Sequence, residues 1–159
     1  MKKKILFSLW VIFVAILQGC SWTEHFFIIN NSSHPVQLFI TLAPYERGFS
    51  IFNYQDFQQY PVNKKNKLNI EKPEPIKHDT LDAYYNIKMI IPPYKAVSIG
   101  YLNNQHYEKY NQDLFNDRQF NLRHIRLITN SNSVEIPDTL FDHYFIKENG
   151  AVKYFITPR

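Results

Sequence analysis

Beyond residue 24 the chain consists of short apolar runs broken by Asn, Ser, Pro and Lys, and the runs read with a period of two. His25-Phe26-Phe27-Ile28-Ile29 is followed by Asn30-Asn31-Ser32-Ser33-His34-Pro35 and then by Val36-Gln37-Leu38-Phe39-Ile40-Thr41-Leu42. Alternation puts Val36, Leu38, Ile40 and Leu42 on one face, and the block between the runs is turn chemistry. The pair predicts a β-hairpin or the first two strands of a sandwich. A further strand is expected over residues 84–91, where Pro92-Pro93 ends it because proline cannot donate to a ladder. Next comes a strand with Val97, Ile99 and Tyr101 on one face, then one over residues 123–129 with a turn at 130–133. The clearest hairpin is the last. Residues 141–147 and 152–157 flank Asn149-Gly150, two residues that accept positive φ. Val152, Tyr154 and Ile156 should then face one way.

Two stretches break the period. Residues 43–78 carry Tyr45, Phe49, Phe52, Tyr54, Phe57 and Tyr60 at spacings that fit neither strand nor helix, and read as a long decorated connection with a short strand at 67–70. Residues 103–121 are polar, with a short helix expected to bring Tyr107, Tyr110 and Leu114 together. Many short strands separated by turns, with no sustained helical period, predict an all-β fold, an antiparallel β-sandwich.

The first twenty residues follow a different pattern. Lys2, Lys3 and Lys4 precede an uncharged, mostly apolar run over residues 5–17, and Leu17-Gln18-Gly19-Cys20 closes it. A spanning helix needs about 20 apolar residues, more than this run offers. A basic start, a short apolar stretch and a small residue before the end are the order of a secretory signal. Its end resembles the lipobox of bacterial lipoproteins. That resemblance implies diacylglycerol on the Cys20 thiol, cleavage before Cys20 and acylation of the new amine. The organisation expected is a signal peptide at 1–19, the lipidated cysteine and a short tether at 20–24, and one sandwich domain over 25–159.

Composition sharpens this. Cys20 is the single cysteine, so no disulfide competes for its thiol. Only four glycines set against 11 Tyr and 13 Phe suit pleated, half-buried strands. The net charge of +4 belongs mostly to the signal: without Lys2, Lys3 and Lys4 the 18 basic residues fall to 15 against 14 acids. A near-neutral domain has no electrostatic footprint for nucleic acid.

Candidate chemistry is sparse. His25, His34, His78, His106, His124 and His143 show no ligand spacing, so no metal site is expected. There is no G-x-S-x-G elbow, and the isolated glycines exclude a phosphate-cradling loop, so neither an enzyme nor a cofactor is expected. Asp79/Asp82, Asp113/Asp117 and Asp138/Asp142 are carboxylate pairs, but nothing in their spacing sets them across a cleft. Tyr45, Phe49, Phe52, Tyr54, Phe57 and Tyr60 are the candidate ligand-binding residues, as a platform for sugar rings or a protein partner; filling the core is the competing role.

Taken together, the lipobox, Phe26-Phe27-Ile28-Ile29-Asn30-Asn31-Ser32-Ser33 and Ile90-Ile91-Pro92-Pro93-Tyr94-Lys95-Ala96-Val97-Ser98-Ile99 resemble small lipoproteins of the Bacteroidetes, many of them immunoglobulin-like sandwiches. The resemblance implies a protein of the cell envelope. Ser21, in place of an Asp, points to the outer membrane, and the single acid in Ser21-Trp22-Thr23-Glu24 points to its periplasmic side. The function expected is a non-catalytic interaction module for an envelope partner, held at the membrane through lipid on Cys20; carbohydrate binding by the Tyr45 to Tyr60 aromatics is the alternative.

Overall fold

A computed structural model describes residues 21–44, 48–63, 67–80 and 85–156. Residues 1–20, the expected signal peptide and Cys20, lie outside the described residues together with Tyr45 and Asp82. Eleven strands are described: β1 (Thr23–Asn30), β2 (Val36–Leu42), β3 (Gln58–Pro61), β4 (Glu74–Pro75), β5 (His78–Thr80), β6 (Asn86–Ile91), β7 (Lys95–Asn103), β8 (Leu122–Ile128), β9 (Ser133–Pro137), β10 (Ile146–Glu148) and β11 (Ala151–Ile156). They form two sheets, ordered β10-β11-β1-β7-β3-β4 and β5-β6-β2-β8-β9. This is the all-β sandwich that the alternation predicted. One pairing departs from an all-antiparallel scheme: β1 and β11 run parallel, from His25 opposite Ala151 to Asn30 opposite Ile156.

The first two runs are consecutive strands of the sandwich and not a hairpin, because β1 and β2 belong to different sheets. Asn30 holds the crossing. Its buried side-chain amide donates to the carbonyls of His34 at 2.8 Å, Ile91 at 3.1 Å and Pro92 at 3.1 Å. Its Oδ1 accepts from the Ser32 N–H at 3.0 Å and hydroxyl at 2.7 Å. The end of β1 is thereby tied to the end of β6, where Pro92 has stopped the ladder.

The facing sides of the sheets bury Phe26 and Ile28 of β1, Leu38 and Ile40 of β2, Ile87 and Met89 of β6, Ile125 and Leu127 of β8, and Val152 of β11 in one core. Val152, Tyr154 and Ile156 do share this side. In β7 the parity changes midway. Phe26 is opposite Gly100 but Phe27 is opposite Ser98, so Ile99 is an extra residue in a bulge. Val97 and Ile99 enter the core as expected, but beyond the bulge Leu102 enters it and Tyr101 turns out beside His25. Gly100 admits the segment passing over it: a Cβ there would lie 2.7 Å from the Ile51 carbonyl oxygen and 2.8 Å from Phe52 Cδ1.

The two stretches without a period meet each other. Ile51 N donates to Gln119 O at 3.1 Å, Gln119 N to Phe49 O at 2.9 Å, and the Asn121 amide exchanges two bonds with the Phe52 backbone at 3.0 and 2.9 Å. Residues 43–78 are therefore more than a connection, since β3 joins the six-stranded sheet beside β7 and β5 edges the other. No strand forms at 67–70, where Leu68 makes an isolated bridge to Val62. Residues 103–121 contain a 3-10 turn at Phe115–Asp117, whose Asn116 and Asp117 have positive φ, in place of the expected helix. Tyr107 nevertheless enters the core, and Tyr110 and Leu114 pack on it.

The α-helix among the described residues is α1 (Phe141–Tyr144), inside the run expected as one strand over 141–147. Phe141-Asp142-His143-Tyr144 is too short for its pattern to tell a turn of helix from a strand, and here packing decides. Phe141 stacks on Phe145 at 3.9 Å and meets Phe120 at 5.1 Å within an aromatic cluster that includes Phe26, Phe52 and Tyr107. After α1, β10 and β11 form the expected hairpin: Glu148 pairs with Ala151, and Asn149 and Gly150 have φ of 52° and 71°.

Candidate interaction surface

The six-stranded sheet is apolar on both faces. Phe27 and Ile29 of β1, Tyr60 of β3, Ala96 of β7 and Ala151 of β11 form a second buried cluster on the side away from the other sheet. Val62 and Leu68 cap this cluster from a strap to which residues 61–63 and 67–72 contribute. The strap is fastened by Asn63 N to Lys67 O at 3.0 Å, by Lys67 N to Asn63 Oδ1 at 3.0 Å and by Asn69 N to Pro61 O at 3.0 Å. Its cover stops short. Between the strap and the β10–β11 hairpin lies a groove of about 1000 Å³, with Phe27, Ala151 and Phe155 on its floor and Leu68, Ile70 and Trp22 along its sides.

The groove lies where the chain enters the domain. Trp22 N donates to Asn104 Oδ1 at 3.1 Å, Asn104 N donates back to Trp22 O at 3.0 Å, and the indole stacks on His106 at 4.0 Å. Thr23 Oγ1 donates to Asn103 Oδ1 at 2.8 Å. Buried Glu24 accepts from Tyr107 N at 2.6 Å and lies 3.9 Å from His106 Nδ1. Trp22 is thus already docked on the sheet, and β1 begins at Thr23 and not at the expected residue 25, so Thr23 and Glu24 of the expected tether belong to the strand.

His25 lines the groove in front of Phe27 and Tyr101, with Nδ1 at 3.4 Å from Ser98 Oγ. Burial lowers its pKa from 6.5, so the ring is held neutral. Burial, and then the Asp142 carboxylate that accepts the Tyr107 hydroxyl at 2.7 Å, push the Tyr107 pKa far up. Asp142 also accepts from Tyr110 N at 3.1 Å, which fastens the 103–121 segment to α1. Asp138, its companion in sequence, caps Thr139 N at 2.7 Å and pairs with Arg123 at 3.5 Å. These two carboxylates hold loops and do not face each other across a cleft. Among the described residues no three His, Cys, Asp or Glu side chains converge as metal ligands.

The aromatic platform does not form as expected. Phe52 and Phe57 are buried in the main core. Tyr60 is buried in the second cluster, edge-on to Phe27 at 5.5 Å, with its hydroxyl donating to Gln58 Oε1 at 2.9 Å. Tyr54 packs on the core edge-on to His78 at 5.6 Å, and Phe49 alone of the described members is strongly exposed, at 67 %. Rings distributed over two cores and a loop cannot stack one ligand. Of the groove residues, sequence reasoning singled out Trp22, as an indole for the headgroup level or for packing onto the sandwich, and it missed Phe27, Leu68, Ile70 and Phe155. The signal was the unbroken run Phe26-Phe27-Ile28-Ile29, since a strand apolar on both faces belongs to a sheet covered on both sides.

The outer face of the five-stranded sheet is of another kind. A row across all five strands reads Asp79, Lys88, Phe39, Arg126 and Glu135. Lys88 Nζ and Arg126 Cζ sit 5.7 and 5.0 Å from the Phe39 ring centroid, and His124 Nε2 lies 2.7 Å from Glu135. Both cations of the row lie against the Phe39 ring and an acid flanks each of them, so this face is polar and, among the described residues, has no apolar cluster of the kind on the other sheet.

Compared with protein-family models, curated proteins and solved structures, the chain matches none of them.

Proposed function

We propose that this chain is a lipid-anchored cell-envelope protein, held by lipid on Cys20 in the outer membrane on its periplasmic side, whose sandwich is a non-catalytic interaction module for an envelope partner. The observation that carries the reading is the docking of Trp22 onto Asn104, which fixes the chain to the domain two residues after Cys20 in sequence. At about 3.3–3.6 Å per residue, that separation gives a reach of only about 7 Å from Cys20. A domain so tethered meets partners in its own membrane or directly beside it. The alternative of a sugar-binding platform loses support from the burial of Phe52, Phe57 and Tyr60.

Two acyl chains or more anchor a protein stably, whereas one binds marginally. Cys20→Ser is therefore expected to shift the protein out of the membrane fraction or to leave an uncut precursor, read by fractionation and intact mass. Unchanged retention with unchanged mass would refute the anchor.

A further inference from the structure

We propose that the groove end of the six-stranded sheet is the membrane-facing surface of the domain, with Trp22 and the strap residues 67–72 lying in the headgroup layer of an anionic phospholipid bilayer. The inference rests on the anchor reading and adds an orientation to it. Three observations carry it. The chain enters the domain at this groove, since Trp22 is one of its walls, so lipid on Cys20 would bring this end to the surface first. The strap is basic at Lys67 and Lys72 against Glu71 alone, with Lys64 and Lys65 adding to the run in sequence, and lysines beside a membrane attract phosphate oxygens. Ile70 of the strap is 59 % exposed, and Trp22, which also lines the groove, is 36 % exposed. An apolar side chain projecting among lysines, next to an indole, is the composition of an interfacial contact.

The opposite side of the sandwich lacks this combination. Its central row alternates acid, base, ring, base and acid, with no excess charge for a phosphate surface. Ile90, 55 % exposed on that outer face, matches Ile70 in exposure and differs in position. The pair therefore tests orientation directly.

The experiment uses the full chain, purified from membranes and reconstituted in phosphatidylethanolamine/phosphatidylglycerol vesicles with brominated acyl chains. Trp10→Phe and Trp22→Phe remove both tryptophans of the chain, and a single indole is returned as Ile70→Trp or Ile90→Trp. Emission from Ile70→Trp is expected to shift to the blue and to lose about half its intensity to the bromines, while Ile90→Trp keeps its own. Equal quenching of both, quenching of neither, or quenching of Ile90→Trp alone would overturn the orientation. If Ile70→Trp fails to fold, Lys67→Trp, on the same strap and exposed, reads the same surface. A protein that never enters the membrane fraction would refute the anchor itself. Retention with an unquenched strap would refute this inference alone, and would leave the groove to a peptide or an acyl chain.

Discussion

His25 shows how position alone gives a common side chain a pH dependence. Its ring lies against Phe27 and Tyr101 in the groove, and burial lowers its pKa from 6.5. A group whose pKa is depressed by folding binds its proton more readily in the unfolded chain, so stability rises with pH across that window. The contribution is fully present above about pH 6.5 and is lost progressively as the pH falls through the folded-state value. We expect the melting temperature of the wild type to drop between about pH 7 and pH 5 more than that of His25→Gln. Thermal melts followed by circular dichroism over that range check this; parallel curves for the two proteins would show that His25 contributes nothing.

At the scale of elements, β11 carries more than its terminal place in the sequence suggests. It lies inside the six-stranded sheet, parallel to β1 on one side and antiparallel to β10 on the other. Its inner residues Val152 and Ile156 belong to the main core, and Phe155 packs against the second cluster. Deleting residues 152–159 would strip ladder bonds from β1 and open both clusters at once, each buried aliphatic side chain being worth about 1.5–3 kcal/mol. With whole-domain stabilities of about 5–15 kcal/mol, the truncated chain is expected to be unfolded at room temperature. An unchanged cooperative melt would show β11 to be dispensable. α1 and the bulge in β7 carry a related lesson. In both, aromatic and aliphatic runs fitted a plain strand, and packing against Phe26, Phe52 and Phe120 selected a helical turn in one case and an extra residue in the other.

For the whole molecule, the decisive quantity is the length of chain between the proposed lipid and the domain. Under the proposed anchor, the docking of Trp22 on Asn104 would leave the domain little freedom to move away from the bilayer. A flexible Gly/Ser insert of n residues between Ser21 and Trp22 would add a mean reach of roughly 5–6 Å × √n. Under the proposed function, inserts of increasing length should weaken in-membrane cross-linking to a protein partner while the domain's melting temperature stays constant. Constant cross-linking at every insert length would instead favour a freely diffusing ligand.

What the sequence by itself determined is local. Asn149-Gly150 specified the last hairpin because its turn needs positive φ at both central residues, a property of those two residues alone. Alternation in 36–42 fixed which face of β2 is buried, and Pro92-Pro93 fixed where β6 ends, because side-chain period and the missing N–H act within a few residues. Tertiary structure decided everything that depends on what lies opposite. It placed β1 and β2 in different sheets, buried three rings of the expected platform, and brought residues 48–53 onto 115–121. It also left the outer face of the six-stranded sheet covered at one end and open beside Trp22. The reason is physical: periodicity shows that a face is apolar, but whether that face meets a second sheet, a strap of its own chain or a surface outside the molecule is set by contacts between residues far apart in sequence.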